Sequence, residues 1–398
     1  MTRCQCYITV PNKNSKFISL IPSQANMFNI RKRVPVFLAL ISACTPFFIH
    51  KKEETDTVIL THVIFRHGNR TTDKYDLYPK DPYLKYDYFP YDYGQLTNAG
   101  KVKEYTIGTS LRERYDSLLG DVYYPDIIEA RSTDFNRTKM SLELVLAGLF
   151  PPRTAQIWHP MNLTWQPVPY NYLPQAVDKE LQGHLCPKYI EEYNKVQSSD
   201  KYKAAFNKYN DTVEYLKKNT GSNISTFNDV YGLYFVLTTE QEFGLKLPKW
   251  TESVYPDLIT EMAIKEYLTG TGTDTLNRLG SGYLVKKIIE DTQARIKDKA
   301  NKHGKKIYLY SAHESNIAKL LLFLGIFEPR HVPNYGSYII IEVHEKDDKY
   351  GVKVFYQDYQ SEYVNLVRLP ACQDLCPLEK FISLYQDLIP VDDSECGL

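Results

Sequence analysis

Arginines surround one histidine in the segment "VIFRHGNRTT", where an apolar run ends in Arg66, His67 and Arg70. Guanidinium groups form bidentate, charge-assisted hydrogen bonds with phosphate oxygens. A neutral imidazole can attack phosphorus and form a phosphohistidine, which divides one difficult step into two easier ones. These residue types indicate phosphoryl chemistry more strongly than a polar turn at the end of a strand.

Two further segments supply groups suited to the same chemistry. Arg131 follows the short apolar run "DIIEA", and His313 and Glu314 follow the apolar run "KIYLYS" after one alanine. A third arginine would help to compensate the charge on the oxygens of a phosphoryl transition state. Glu314 in its neutral form could protonate the departing alkoxide. Because the arginines supply the positive charge, we expect neither a metal nor another cofactor.

The elements that carry these residues follow one local design. The apolar runs at 57–65, 126–130 and 306–311 resemble strands that are buried on both faces. The second and third runs are followed by helical patterns, at 140–149 and 314–327. Strand followed by helix predicts parallel strands, and ligands bind outside the carboxyl ends of such strands. The three charged clusters should therefore meet in one crevice.

The rest of the chain predicts two additions to this sheet. Residues 156–280 are rich in tyrosine and lysine and lack buried-strand runs, which predicts an inserted, mainly helical cap between two parts of an α/β domain, 51–155 and 281–398. The segments "YGSYIIIEVHE" and "YGVKVFYQD" predict an antiparallel hairpin at the sheet edge. The tyrosine-rich segment 83–95 could line the crevice or form a surface loop.

Residues 1–50 differ in charge from the rest of the chain. They contain six basic residues and no acidic residue, which leaves 42 Lys and Arg against 48 Asp and Glu in the remainder, a net charge of −6. A mildly acidic body argues against a nucleic-acid partner. The basic cluster "RKR" ahead of the apolar stretch 34–49 predicts a signal peptide within an N-terminal extension, because the stretch is too short to span a bilayer comfortably. We expect a secreted or lysosomal protein with no stable membrane contact.

Cysteine usage and glycosylation sequons agree with this compartment. Beyond residue 50 the chain has Cys186, Cys372, Cys376 and Cys396, for which three pairings are possible. No histidine lies near "ACQDLC" to complete a zinc site, so a short-loop disulfide is the better interpretation there. The sequons that lie away from the charged motifs, and are therefore candidate glycan sites, are Asn162, Asn210 and Asn223.

The three motifs together resemble those of the histidine acid phosphatases. "RHGNR" resembles the RHGxRxP signature, "RSTDFNRT" with "LAGLFPP" resembles a second block, and "YSAHESN" resembles the SAHD block. "YGQLTNAG", "LPKW" and "CPLEKF" extend the similarity to the prostatic, lysosomal and arthropod venom-type enzymes. The resemblance covers residues 57–398.

This resemblance implies a fold and a set of roles. The fold is a phosphoglycerate-mutase-like mixed sheet with helices on both faces and an inserted helical cap. The nucleophile is His67, the proton donor is Glu314, and the phosphate-binding residues are Arg66, Arg70, Arg131 and His313. The resemblance also implies the disulfides Cys186–Cys396 and Cys372–Cys376, a phosphate monoester as substrate and a homodimer.

Two departures from the family pattern keep other functions open. Thr72 replaces the final proline of the signature, and Glu314 replaces the usual aspartate. An acid phosphomonoesterase of broad specificity remains the leading interpretation. One alternative is a catalytically weakened secreted binding protein on the same scaffold, and another is a narrower phytase or lysophosphatidate phosphatase.

Overall fold

One mixed sheet organises the part of the chain that the structure describes. The structure is a computed structural model that describes residues 57–161 and 163–397, so the predicted signal peptide and Asn162 lie outside the described residues. The strands are β1 (Val58–Arg66), β2 (Ile128–Ser132), β3 (Asn171–Tyr172), β4 (Ile307–Ala312), β5 (Tyr338–Lys346), β6 (Lys349–Gln357), β7 (Asn365–Val367) and β8 (Cys376–Pro377). Within these ranges the strand order is β3-β2-β4-β1-β5-β6-β7, and β8 pairs with β6.

The three strands predicted to carry the charged clusters are parallel neighbours. β4 lies between β1 and β2 and pairs with both in parallel. Arg66 lies opposite Ala312, and Ser132 lies opposite Ser311. The carboxyl ends of the three strands are therefore level, which confirms that sequence segments far apart meet at one edge.

The predicted hairpin forms, but its place in the sheet differs from the prediction. β5 and β6 pair antiparallel along their whole length. β5 also pairs antiparallel with β1, so the hairpin lies inside the sheet and β7 forms its outer edge. A strand of three residues such as β7 is too short to give a periodic pattern, and the sequence therefore did not predict the strand that covers β6.

Helices cover both faces of this sheet. Their bounds are α1 (Asn98–Arg114), α2 (Asp116–Leu119), α3 (Asn136–Leu149), α4 (Lys179–Gln182), α5 (Pro187–Ser198), α6 (Asp200–Asn207), α7 (Asn210–Thr220), α8 (Phe227–Glu242), α9 (Asp257–Thr269), α10 (Asp274–Asn277), α11 (Tyr283–Lys297), α12 (Glu314–Phe323) and α13 (Leu378–Tyr385). The helices predicted after the second and third strands correspond to α3 and α12.

The continuous apolar character of β1 follows from its burial on both faces. Val63 and Phe65 pack into a cluster with α1 and α3, whereas Leu60 and Ile64 pack into a cluster with α11, α12 and α13. All four side chains are fully buried, and burying each contributes about 1.5–3 kcal/mol relative to exposure. Helices α1 and α3 approach closely at Gly108, where a Cβ would lie 2.2 Å from the Val145 carbonyl oxygen. These contacts hold the end of β1 in place.

The region predicted as a cap is largely helical, but it also supplies one strand of the sheet. Helices α4 to α10 all lie within residues 156–280, and a separate apolar cluster joins α6, α7, α8 and α9. β3 falls in the same range, yet it pairs in parallel with β2. Two residues are too few to produce a strand pattern in the sequence. The division into domains at these boundaries stays a prediction.

Both disulfides implied by the family resemblance are present. Cys186 bonds to Cys396, which ties the start of α5 to the C-terminal segment across 210 residues. Cys372 bonds to Cys376 at the start of β8. Across the described ranges, no helix has the length and apolar character needed to cross a bilayer.

Candidate active site

The histidine of the first motif lies in a loop fixed to the end of β4. The backbone N–H of His67 donates to the carbonyl oxygen of Ala312 over 3.0 Å. The next residue packs directly on the start of α1, because a Cβ on Gly68 would lie 2.6 Å from the carbonyl oxygen of Gly100. A glycine at position 68 therefore allows the loop to approach α1 and to aim the imidazole into the crevice.

The hydrogen bonds of the imidazole select one tautomer. Nδ1 of His67 lies 2.8 Å from the carbonyl oxygen of Gly68, an acceptor, so Nδ1 carries the proton. Nε2 accepts a hydrogen bond from Nε of Arg137 over 3.2 Å and therefore presents its lone pair toward the cationic side of the crevice. Burial, followed by the charges of Arg137 and Arg66, lowers the pKa of His67 well below its usual value. The ring stays neutral in mildly acidic solution and keeps its nucleophilic lone pair.

Three arginines surround this ring. Arg66 donates to the carbonyl oxygen of Pro333 over 2.6 Å, and its guanidinium carbon lies 3.7 Å from the ring centre of Tyr335. The Nε atoms of Arg66 and Arg70 are buried and form no hydrogen bond with the described residues. Burial and the charge of Arg70 lower the pKa of Arg137 to about 10. An anion bound among these groups would satisfy the donors and relieve their mutual repulsion.

Asp73 links two of these arginines. Its Oδ2 lies 3.2 Å from a terminal nitrogen of Arg70 and 3.7 Å from one of Arg137. The carboxylate holds the two guanidiniums side by side, although they come from different elements. Sequence reasoning gave Asp73 no role, because its partner on α3 is 64 positions away in the chain.

The structure does not place Arg131 beside His67, where we predicted it. Arg131 lies in β2, and its guanidinium instead forms ion pairs with Asp178 and Glu180 at the start of α4. Arg137, in the first turn of α3, occupies the position beside the imidazole. Both arginines belong to "RSTDFNRT", and the sequence-based prediction takes Arg131 because it lies nearer the strand end. The start of α3 at Asn136, soon after the strand, is the signal that favours Arg137.

His313 and Glu314 lie where the third motif predicted them. His313 caps the N-terminus of α12, and its ring lies 5.4 Å from the ring of His67, centre to centre. Its Nε2 lies 3.0 Å from the hydroxyl oxygen of Thr133. Burial, followed by the charge of Arg137, lowers the pKa of His313 well below its usual value. Two neutral imidazoles therefore face each other across the crevice.

Glu314 is held by contacts from two sides. One carboxyl oxygen accepts a hydrogen bond from the hydroxyl of Tyr231 on α8, and the other lies 3.7 Å from Nε of Arg66. The Glu314 side chain is 10% exposed, so it borders the crevice without being open to bulk solvent. Sequence reasoning missed Tyr231, since a tyrosine within a tyrosine-rich helix gives no distinctive local signal.

The tyrosine-rich segment 83–95 packs beside the crevice around the end of α8. Tyr86, Tyr88 and Tyr91 make edge-to-face contacts with Phe243. Tyr91 and Phe243 line a small cavity together with Arg70. The segment thus lies near the crevice, as one interpretation proposed, although Phe89 at its turn is 83% exposed.

The described residues contain no group of three or more His, Cys, Asp or Glu side chains that could hold a metal ion. The positive charge of the crevice comes from Arg66, Arg70 and Arg137. The arrangement can bind a tetrahedral anion, present a nucleophilic nitrogen to it and offer a carboxyl group on the opposite flank.

Comparison with known proteins gives a consistent result. The family model described as histidine phosphatase superfamily (branch 2) matches residues 57–357. Venom acid phosphatase Acph-1 of Apis mellifera is 41% identical over 335 residues, covering 83% of this chain and 85% of that protein. Human lysosomal acid phosphatase is 31% identical over 346 residues, covering 84% of this chain and 79% of that protein.

A solved structure shows the same fold at low sequence identity. The apo form of Hafnia alvei phytase aligns with a TM-score of 0.60 at 15% identity, covering 86% of this chain and 98% of that chain. The predicted α/β class, with its mixed sheet and many helices, is confirmed by this likeness and by the strand order above. The chain belongs to the histidine phosphatase superfamily, branch 2.

Proposed function

We propose that this protein is an acid phosphomonoesterase that forms a phosphohistidine on Nε2 of His67. The observation that carries the proposal is the neutral imidazole whose Nε2 lone pair lies among three guanidiniums. The relatives named acid phosphatase at 41% and 31% identity support the same reaction class.

The first half of the proposed reaction transfers the phosphoryl group to the enzyme. The N–H of Arg137 that bonds to Nε2 of His67 turns to a phosphoryl oxygen of the substrate and so frees the Nε2 lone pair. Nε2 then attacks phosphorus, a P–N bond forms, and the P–O bond to the alcohol breaks on the opposite side. Arg66, Arg70 and Arg137 bind the remaining phosphoryl oxygens, and the ring of His313 lies close enough to add a contact. Glu314 in its protonated form gives its proton to the leaving oxygen. Tyr231 orients that carboxyl group through its hydroxyl.

The second half releases phosphate. Water attacks the phosphohistidine while Glu314, now ionised, accepts a proton from it. The P–N bond breaks, His67 regains its neutral form, and inorganic phosphate leaves. The same carboxyl group thus acts first as acid and then as base, as microscopic reversibility requires.

Hydrolysis of p-nitrophenyl phosphate between pH 4 and 7 tests the proposal. His67→Ala should lower kcat at least about 10³-fold, whereas His303→Ala, which removes an exposed histidine, should leave it unchanged. Alkaline quenching and mass spectrometry should find the phosphoryl group on His67 of the wild type. Equal activity of wild type and His67→Ala would overturn the mechanism. Tight vanadate binding without turnover would favour the alternative of a secreted binding protein, and turnover confined to phytate or to a lysophosphatidate would favour a narrower enzyme.

We also propose that the protein is secreted or lysosomal. The two disulfides support an oxidising compartment, and the relatives include a venom protein and lysosomal proteins. Expression of the full chain in insect cells, with the medium and the lysosomal fraction assayed separately, tests the location. Phosphatase activity confined to the cytosol would contradict it.

A homodimer is supported by exposed apolar side chains in the segment that leads into the edge strand β3. Trp158, Met161 and Trp165 are 54%, 82% and 44% exposed, and they precede this edge strand in the chain. Exposed apolar side chains clustered at one place are typical of protein interfaces. Sedimentation velocity of the purified protein should give the mass of two chains, and a monomer at micromolar concentration would contradict this proposal.

A further inference from the structure

A cavity of about 370 Å³ adjoins the crevice on the side of α8. Two of its lining residues also belong to the crevice. Tyr231 donates to Glu314, and the ring of Phe235 lies under the guanidiniums of Arg66 and Arg70, 5.5 and 6.0 Å from their central carbons. Since Glu314 is the proposed donor to the leaving oxygen, the alcohol part of a bound ester would extend from Glu314 toward this cavity.

The charged side chains that line the cavity are acidic. Among the described residues its lining contains no lysine, arginine or histidine, and it contains two carboxyl groups, those of Asp76 and Asp229. Asp229 is already occupied, because it accepts the backbone N–H groups of Ser225 and Thr226 at the start of α8. Asp76 is different, since its carboxyl group accepts no hydrogen bond from the described residues. A ligand in the cavity would therefore contact the Asp76 carboxyl group.

Asp76 is directed against α8 between the two residues shared with the crevice. Its Oδ1 lies 3.9 Å from the position that a Cβ on Gly232 would take. Gly232 stands next to Tyr231 and three positions before Phe235, so the carboxylate lies beside the leaving-group end of the crevice. The aromatic lining, which includes Tyr78, offers ring faces and edges at the same place.

We infer that this cavity is a leaving-group subsite that prefers an alcohol bearing an ammonium group and disfavours a second phosphate. The inference rests on the proposed phosphomonoesterase function. An ammonium group would form an ion pair with the Asp76 carboxylate and cation–π contacts with the aromatic rings of the lining, and this combination favours amines. A second phosphate would be repelled by that carboxylate, and the arginines that face Asp76, Arg70 and Arg137, lie outside the cavity lining, on the side of the proposed phosphoryl site. Amino-alcohol phosphates are therefore the substrate class that fits, and inositol polyphosphates are not.

The titration of Asp76 gives this preference a pH dependence. Burial raises the pKa of Asp76 to about 6. The charged groups that face it are Arg70 and Asp73 from its own loop, Arg137 from α3 and Glu314 from α12. The arginines lower the pKa and the carboxylates raise it, and burial outweighs both. The subsite therefore gains its negative charge between about pH 5 and pH 7.

Two isosteric esters test the inference. O-Phosphoethanolamine and n-propyl phosphate differ by an ammonium group in place of a methyl group. The ammonium group also lowers the second pKa of its own phosphate, and this difference between the esters enters the wild type and every variant alike. We expect kcat/KM for O-phosphoethanolamine to exceed that for n-propyl phosphate about tenfold at pH 7 and less than about threefold at pH 5. Asp76→Asn should lower the ratio about tenfold relative to the wild type at pH 7 and less than about threefold at pH 5. Asp211→Asn, which removes an exposed carboxylate of α7, should leave the ratio as in the wild type.

The ratio separates this inference from damage to the phosphate site, because such damage lowers both kcat/KM values together. A wild-type ratio of one or less at pH 7 overturns the inference without any variant, and so does an unchanged ratio in Asp76→Asn that melts like the wild type. If the protein hydrolyses p-nitrophenyl phosphate but its kcat/KM for O-phosphoethanolamine does not exceed that for n-propyl phosphate, the proposed subsite is wrong and the proposed function stands. Absence of turnover of every ester would instead overturn the proposed function.

Discussion

Replacing Arg137 by alanine should lower activity far more than replacing Arg131, although the two arginines lie in the same motif. Nε of Arg137 is 3.2 Å from the proposed attacking nitrogen, so its guanidinium borders the space of the transferring phosphoryl group. Removing one preorganised donor from a charged transition state lowers kcat about 10²–10³-fold, which equals about 2.7–4 kcal/mol. Arg137→Lys should lose less kcat than Arg137→Ala, because it keeps the positive charge. It should still be less active than the wild type, since lysine lacks the planar fork of donors.

Replacing Arg131 should lower stability instead. Its guanidinium pairs with Asp178, which is 1% exposed, and with Glu180. Arg131→Ala would leave the buried Asp178 carboxylate without a cation, and breaking a buried pair in this way costs about 3–5 kcal/mol. A loss of that size corresponds to a Tm lower by roughly 4–7 °C for a chain of this length, since the unfolding entropy is about 2.1 cal/mol/K per residue. The kcat of the folded fraction should stay within about threefold of the wild type.

The assay is kcat for p-nitrophenyl phosphate at pH 5, measured together with Tm by differential scanning calorimetry. Arg368→Ala, at an arginine that is 72% exposed, serves as the control and should change neither quantity. Loss of kcat in Arg131→Ala equal to that in Arg137→Ala, at an unchanged Tm, would refute the assignment. So would full activity of Arg137→Ala.

Two further predictions concern carboxyl groups. Glu314→Gln should lower kcat/KM, which reports the steps up to release of the alcohol, about 10²–10³-fold for an alkyl phosphate but much less for p-nitrophenyl phosphate, whose leaving group needs no proton, and equal losses of kcat/KM would contradict the role of proton donor. Burial, reinforced by the nearby Asp81, raises the pKa of Glu240 from 4.5 to about 9, so the folded protein holds a proton that the unfolded chain has lost. The stabilising contribution of neutral Glu240 is therefore complete below about pH 4.5 and is lost as the pH rises toward 9, at up to about 1.4 kcal/mol per pH unit. Urea unfolding between pH 5 and 8 should show this decline in the wild type and a flatter profile in Glu240→Gln, and parallel profiles would contradict it.

The sheet and the meeting of distant motifs could be predicted because their causes are local. The sequence of β1 is a nearly continuous apolar run because both faces of the strand are buried, and the same holds for β4. Strands followed by helices imply parallel pairing, so the prediction that His67 and His313 meet required only the chain order of the elements. The two rings do meet, edge to face, with their centres 5.4 Å apart.

The choice between Arg131 and Arg137 could not be made in the same way. Which of two arginines six positions apart points into the crevice depends on where β2 ends and α3 begins. It also depends on acceptors at the start of α4, more than 40 positions away in the sequence. Tyr231 and Asp73 were missed for a related reason, since each acts through a partner on another element. Local patterns predict which elements exist, whereas such partners are decided by packing.

Thr72, the departure from the family signature, is tied to α8 by a directed chain of hydrogen bonds. The hydroxyl of Tyr88 donates to the hydroxyl oxygen of Thr72, which lies 2.7 Å from the hydroxyl oxygen of Thr239. Thr239 in turn donates to the carbonyl oxygen of Phe235, so Thr72 is the donor in its contact with Thr239. The ring of Phe235 lies under the guanidinium of Arg70. A proline at this position would stiffen the loop locally but would leave the buried hydroxyl of Tyr88 without its acceptor, and an unsatisfied buried group costs about 1–3 kcal/mol. The motif loop and the helix that borders the leaving-group side are therefore one hydrogen-bonded unit in this chain, and Thr72 is the residue that joins them.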